Sequence, residues 1–155
     1  MKEFLAAMSL VESRLAEANA KLPAIPKEFR DLLVKAAPYF TLLAIALTSV
    51  GLYHLLSMYF AWNDTFATFA NYTGMHMGMG VWGWVRIGFG VAGIAILATA
   101  VSGLFAVSRV GWERLFYAQC LAIVSSVLFF EIAGLFWAAV GLYLLFQIRD
   151  SYVRK

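Results

Sequence analysis

The sequence predicts an all-α integral membrane protein: a four-helix bundle with both termini cytoplasmic (N-in/C-in), preceded by an N-terminal amphipathic interfacial helix. Three observations carry that expectation. First, 63% of the 155 residues are hydrophobic and 14% are charged, against about 45–50% and 25% in soluble domains. A soluble core of this size cannot hide so much apolar surface, whereas a bilayer can. Second, the apolar residues form long runs without period-two alternation, which selects helices over barrel strands. Third, lysines and arginines gather at the ends of those runs, in a pattern that fixes sidedness. The net charge of +3 is modest and sits at run boundaries, so it points to orientation and to no nucleic-acid partner. The lone cysteine, Cys120, precludes an intramolecular disulfide and leaves the redox compartment open.

Residues 1–37 read as amphipathic interfacial helices and 38–155 as the membrane domain. In residues 1–22, Phe4, Met8, Val11, Leu15, Ala18 and Leu22 recur every three or four positions, with Glu3, Arg14, Glu17 and Lys21 opposite. Glu3 and Glu12 interrupt any signal-peptide pattern. The helix either lies on the inner membrane surface or docks a partner protein. The "LPAIP" at 22–26 ends it, because proline cannot continue a helix and restricts the residue before it. A second short amphipathic helix is expected over 27–37. It bears Phe29, Leu32, Leu33 and Ala36 on its apolar face and kinks at Pro38 into the membrane.

Span one is expected over 38–60, about 35 Å of helix. Its lone His54 reads as an interhelical hydrogen-bonding group before it reads as a ligand. Residues 61–85 lack lysine and arginine and are rich in aromatic, Met and Gly residues, the composition of a water–lipid interface. Within them, "GMHMGMG" (74–80) carries Met75, His76, Met77 and Met79. Thioether and imidazole donors suit Cu(I), but Met and Gly equally suit a flexible loop skirting a bilayer. The "NYT" at 71–73 matches a glycosylation pattern that is frequent by chance.

Span two is expected over 86–107. Its "GFGVAG" has the glycine spacing of a dinucleotide fingerprint without the preceding strand, so a nucleotide site is rejected and no cofactor is expected. Ala95, Thr99 and Gly103 lie four apart, as do Ala98, Ser102 and Ala106. Those two stripes permit close helix packing and make span two the expected centre of the bundle.

The apolar run over 115–148 is the ambiguous element. As one helix it is about 51 Å long, too long for a hydrocarbon core near 30 Å. As a hairpin broken near Glu131, with spans over 115–130 and 134–148, its arms are about 24 and 21 Å, which is short. Charge decides. With a hairpin, Arg109, Arg114, Arg149, Arg154 and Lys155 join the N-terminal cations inside, and Arg86 alone stays near the outer face. Glu131 then sits at the outer boundary, either capping the turn in water, pairing with Arg86, or coupling protons.

The segments "RLFYAQCLAIVSSVL" (114–128) and "GLYLLFQIRDSY" (141–152) resemble stretches of small uncharacterised bacterial membrane proteins, including those of reduced-genome candidate phyla. Such proteins also open with an amphipathic helix, an "LPxxP"-like break and a proline-led first span. The resemblance implies a bacterial inner-membrane location and carries no activity. No Ser/His/Asp set and no pair of carboxylates within a span is found. The expected role is therefore a non-enzymatic structural or assembly component. Its partners would be the bilayer, and a second copy or another membrane protein meeting span two or residues 1–22. A small oligomeric transporter using Glu131 and an outer-face copper-handling protein are the alternatives.

Overall fold

The computed structural model describes residues 2–73 and 81–153, with side chains for 8–61 and 81–152. Among the described residues there are five helices and no strand: α1 (Lys2–Ala20), α2 (Lys27–Thr73), α3 (Val81–Phe105), α4 (Arg109–Leu128) and α5 (Ile132–Val153). Three segments are long and apolar enough to cross a membrane: Lys27–Ala61 within α2, Val81–Phe105, and Ile132–Tyr152 within α5. The expected fourth, α4, carries Arg109, Glu113, Arg114, Gln119, Ser125 and Ser126 along its length and falls short on apolarity.

Three boundaries depart from the sequence expectation. The short helix over 27–37 is not separate from span one. α2 runs on through Pro38 for 47 residues. Nor does helix give way to an interface at residue 61, because α2 continues to Thr73. Between 39 and 73 it meets one glycine, Gly51, and no further proline, so nothing within that stretch breaks the ladder. α3 likewise starts at Val81, five residues earlier than expected.

Pro38 is tolerated for a reason visible in its surroundings. Without an N–H it leaves the Val34 carbonyl, four residues back, without its helical donor. The hydroxyl of Tyr152, a fully buried side chain on α5, donates to that oxygen at 3.3 Å. A neighbouring helix thus replaces the missing bond, as apolar surroundings require.

The 115–148 run is a hairpin, and its arms are longer than its apolar residues suggest. α4 has 20 residues and α5 has 22, about 30 and 33 Å. The charges at the ends away from the hairpin turn are paired instead of ending the helices. Arg109 bonds Glu113 one turn on at 2.7 Å, which holds the Arg109 pKa above its ordinary value through hydrogen bond and charge. Arg149 takes Glu12 of α1.

Both tight turns have the same construction. After α3, Val107 is left-handed (φ 47°), the Ser108 N–H bonds the Gly103 carbonyl and the Val107 N–H bonds that of Leu104. After α4, Phe130 is left-handed (φ 54°), with Glu131 N–H on Ser126 and Phe130 N–H on Val127. Each is a Schellman closure with a side chain where glycine is usual. Ser108 then caps α4, its hydroxyl accepting from the Gly111 N–H at 3.3 Å.

α3 packs on both α2 and α4, and α4 packs on both α3 and α5. The α3–α4 seam is tight where Gly103 faces Gly111: a Cβ on Gly103 would lie 2.6 Å from the Gly111 Cα. The α4–α5 seam admits Gln119 over Gly141, and the Gln119 amide donates to the Ala138 carbonyl at 2.7 Å. α2 closes the ring onto α5 only sparsely and does not approach α4.

The core lies at one end. Trp112, Phe116 and Phe146 form an aromatic cluster, with Leu104, Leu145 and Tyr152 around it. The Trp112 indole N–H donates to the Leu145 carbonyl at 3.0 Å, so its polar atom is not stranded. Away from this end the outward surface is apolar, with Leu47, Val50, Val91, Val124, Val127 and Phe136 all exposed. Apolar surface on that scale marks contact with something other than water.

Candidate functional site

At the end opposite the aromatic core, the guanidinium of Arg86, on the first turns of α3, forms an ion pair with the carboxylate of Glu131. The α4–α5 turn places the carboxylate. The Schellman closure ends α4, the Glu131 carbonyl accepts the Leu135 N–H as α5 begins, and Gly134 leaves room for the side chain. The Arg86 guanidinium also lies over the Phe129 ring, 5.4 Å from its centroid. Both partners are part exposed, at 51% and 36%, so the pair is worth little as stability and matters as local chemistry.

The pair forms one wall of a cavity of about 400 Å³ whose other polar groups are Thr48 and Ser125, with Gly51, Leu52, Leu55 and Gly90 completing it. A second cavity, of about 520 Å³, lies between α2, α4 and α5. It is almost wholly apolar, with Thr41, Thr48 and Gln119 its polar residues. Thr48 lines both. Along α2 the two cavities are lined by the small residues Ala37, Thr41, Ala44, Thr48 and Gly51, at steps of four and three, together with Leu33, Phe40, Leu52 and Leu55. That spacing puts small side chains on one face of the helix. The two cavities adjoin at Thr48: the apolar one opens between α2 and α5, and the polar one is bounded by α2, α3, Ser125 of α4 and the Glu131 turn.

Charged groups gather at two levels. Arg86 and Glu131 mark one; Arg109, Glu113, Arg149 and Glu12 mark the other, where the Arg149 guanidinium lies 5.7 Å from the Trp112 ring centroid. Glu131 to Arg149 along α5 is about 27 Å, and Arg86 to Phe105 along α3 is about 28 Å. Those lengths match a hydrocarbon slab of about 30 Å. Arg114 lies between the levels and donates to the Thr99 carbonyl at 2.6 Å.

At the second level α1 is fastened to α5. Glu12 accepts from Arg149 Nη2 at 2.6 Å and Nε at 3.1 Å. Tyr143 and Gln147 donate to the Pro23 carbonyl at 2.8 and 3.3 Å. Met8, Leu15 and Ala16 pack on the core cluster.

The other sequence candidates fall differently. Ala95, Ala98, Thr99, Ser102 and Ala106 are exposed, so those stripes face away from the bundle; Gly103 alone of the six sits in a helix seam. The physical reason is that α3 meets its neighbours through Gly90, Ala100, Gly103 and Leu104. His54 is exposed beside Tyr53. Met75, His76, Met77 and Met79 lie outside the described residues; among the described residues no group of three His, Cys, Asp or Glu side chains is placed to hold a metal. The small-residue face of α2 was missed in sequence, although its four-three spacing is legible there.

No family model matches the chain, and neither the curated proteins nor the solved structures contain a significant relative.

Proposed function

We propose that the chain is a bacterial inner-membrane protein crossing the bilayer four times, with both termini cytoplasmic, and that it serves as a non-enzymatic structural or assembly component. α4 makes the fourth crossing. Its polar residues point into the bundle (Gln119 to Ala138, Ser126 against Gly134), and its helix is as long as the distance between the two charged levels. The positive-inside rule puts the Arg109 and Arg149 level in the cytoplasm and the Arg86–Glu131 level outside.

The observation that carries the role is the fastening of α1. An amphipathic helix merely resting on lipid needs no partner, whereas here a charge pair with side chains 17% and 33% exposed holds Glu12 to Arg149 above Trp112. The result is a cytoplasmic platform fixed to the membrane domain, with Leu10 and Val11 exposed. The exposed small-residue face of α3 offers the surface for a second copy.

Single cysteines test the topology in a Cys120→Ala background. Phe130→Cys should react with an impermeant maleimide in intact cells, and Ser13→Cys only after permeabilisation. Equal labelling of both in intact cells would overturn the orientation. The role predicts a discrete assembly on native gels that dissociates with Glu12→Ala; a monomer unaffected by that change would refute it.

A further inference from the structure

We propose that the two adjoining cavities along α2 are a binding site for one phospholipid with a zwitterionic, primary-ammonium headgroup. The headgroup sits on the Arg86–Glu131 pair, and one acyl chain runs down the small-residue face of α2.

The geometry of the groove selects a chain. Its apolar part is open along its side, at the sparse α2–α5 contact, so its neighbour in a membrane is hydrocarbon. From the level of Arg86 it passes Leu55, Gly51, Thr48 and Ala44, a descent of about 17 Å at 1.5 Å per residue. An extended acyl chain of ordinary length covers that distance. A second helix fits poorly: α-helices pack 8–10 Å apart, and the Glu131 turn together with Leu52 against Gly90 closes the outer end of the groove.

The polar end selects the headgroup by charge complementarity. A guanidinium has five N–H donors and a carboxylate about four acceptor positions, so Arg86 and Glu131 keep their mutual bond while each has capacity left over. Phosphate oxygens match the remaining Arg86 donors. A primary ammonium donates hydrogen bonds to Glu131, which a quaternary ammonium cannot. An anionic headgroup without an amine meets repulsion from Glu131. The Thr48 and Ser125 hydroxyls lie just below, where the glycerol esters pass.

The proposal rests on membrane embedding but not on which side faces out, since its test is done in detergent, where both faces are accessible. The full chain is released from mixed micelles containing equal amounts of phosphatidylethanolamine, phosphatidylcholine and phosphatidylglycerol with identical chains, and bound lipid is counted by native mass spectrometry. One phosphatidylethanolamine should be retained, with about tenfold preference over the choline lipid. Glu131→Gln should abolish the preference, and Ala44→Phe should abolish retention. Because Ala44→Phe is a core change, a second measurement uses the unaltered protein. Phosphatidylethanolamine carrying a photoreactive group in its chain should cross-link to peptides containing Ala44 or Ala122. Retention without headgroup preference, preference that survives Glu131→Gln, or cross-links only on outward residues such as Leu47 would each overturn the site. A dimer that Ala44→Phe dissociates would assign the groove to a second copy instead.

Discussion

Removing the Tyr152 hydroxyl tests the account of Pro38 most directly. In Tyr152→Phe the ring keeps its fully buried place, and one donor disappears from the Val34 carbonyl. The bond is long at 3.3 Å, which puts its net worth at the lower end of the usual range. Leaving a part-buried acceptor without its donor adds to the loss, giving about 1–2 kcal/mol in all. The decisive comparison is the same change made in Pro38→Ala. Alanine restores the N–H that reaches Val34, so the hydroxyl becomes redundant and its removal should cost no more than about 0.3 kcal/mol. The coupling between the two positions is then about 1 kcal/mol, well outside the additivity expected of independent sites. Reversible unfolding in mixed detergent micelles, read by tryptophan fluorescence, measures all four proteins. If Tyr152→Phe costs the same with proline and with alanine at 38, the hydroxyl is not replacing a helical hydrogen bond and the explanation fails.

Two further expectations concern the turns and seams. Gly111→Ala would place a Cβ 2.8 Å from the Gly103 Cα, against backbone that cannot rotate away. It should destabilise by about 2–3 kcal/mol in the same assay, while Gly93→Ala, which meets nothing, should be close to neutral; equal effects would mean that the α3–α4 seam is not tight. Phe130→Gly removes a left-handed side chain that is 90% exposed and should stabilise the folded state in detergent by about 0.5–1 kcal/mol, whereas a loss of stability would show that the ring contributes more by contact than its backbone costs.

How far the sequence could be read depends on which physical rule governed each element. The hairpin over 115–148 was legible because charge placement is a strong constraint, and Glu131 opposite Arg86 followed from depth alone. Helix extents were less legible. A proline and a polar stretch were read as boundaries, yet Pro38 is passed with the help of Tyr152, which no local pattern announces. Residues 61–73 contain nothing that forbids helix, although their composition resembles an interface. For the site, small residues on span two drew notice because they are conspicuous as a pattern. The equally regular Ala37, Thr41, Ala44, Thr48 and Gly51 were hidden among larger side chains such as Leu42, Leu43 and Leu47 on the other face. Spacing shows which residues share a face, but not whether that face meets a helix, lipid or a gap.

The length of α2 has a mechanical consequence. Its contacts with α3 at Leu52–Gly90 and Tyr59–Trp84 place the level of Arg86 between residues 52 and 59, yet the helix continues to Thr73. About 24 Å of it stands beyond that level. One flank of α2 is fastened to α3 at three heights, Tyr39–Phe105, Leu52–Gly90 and Tyr59–Trp84, whereas its contact with α5 is sparse. A sideways load on the stretch beyond Tyr59 therefore falls on α3 before it reaches α5.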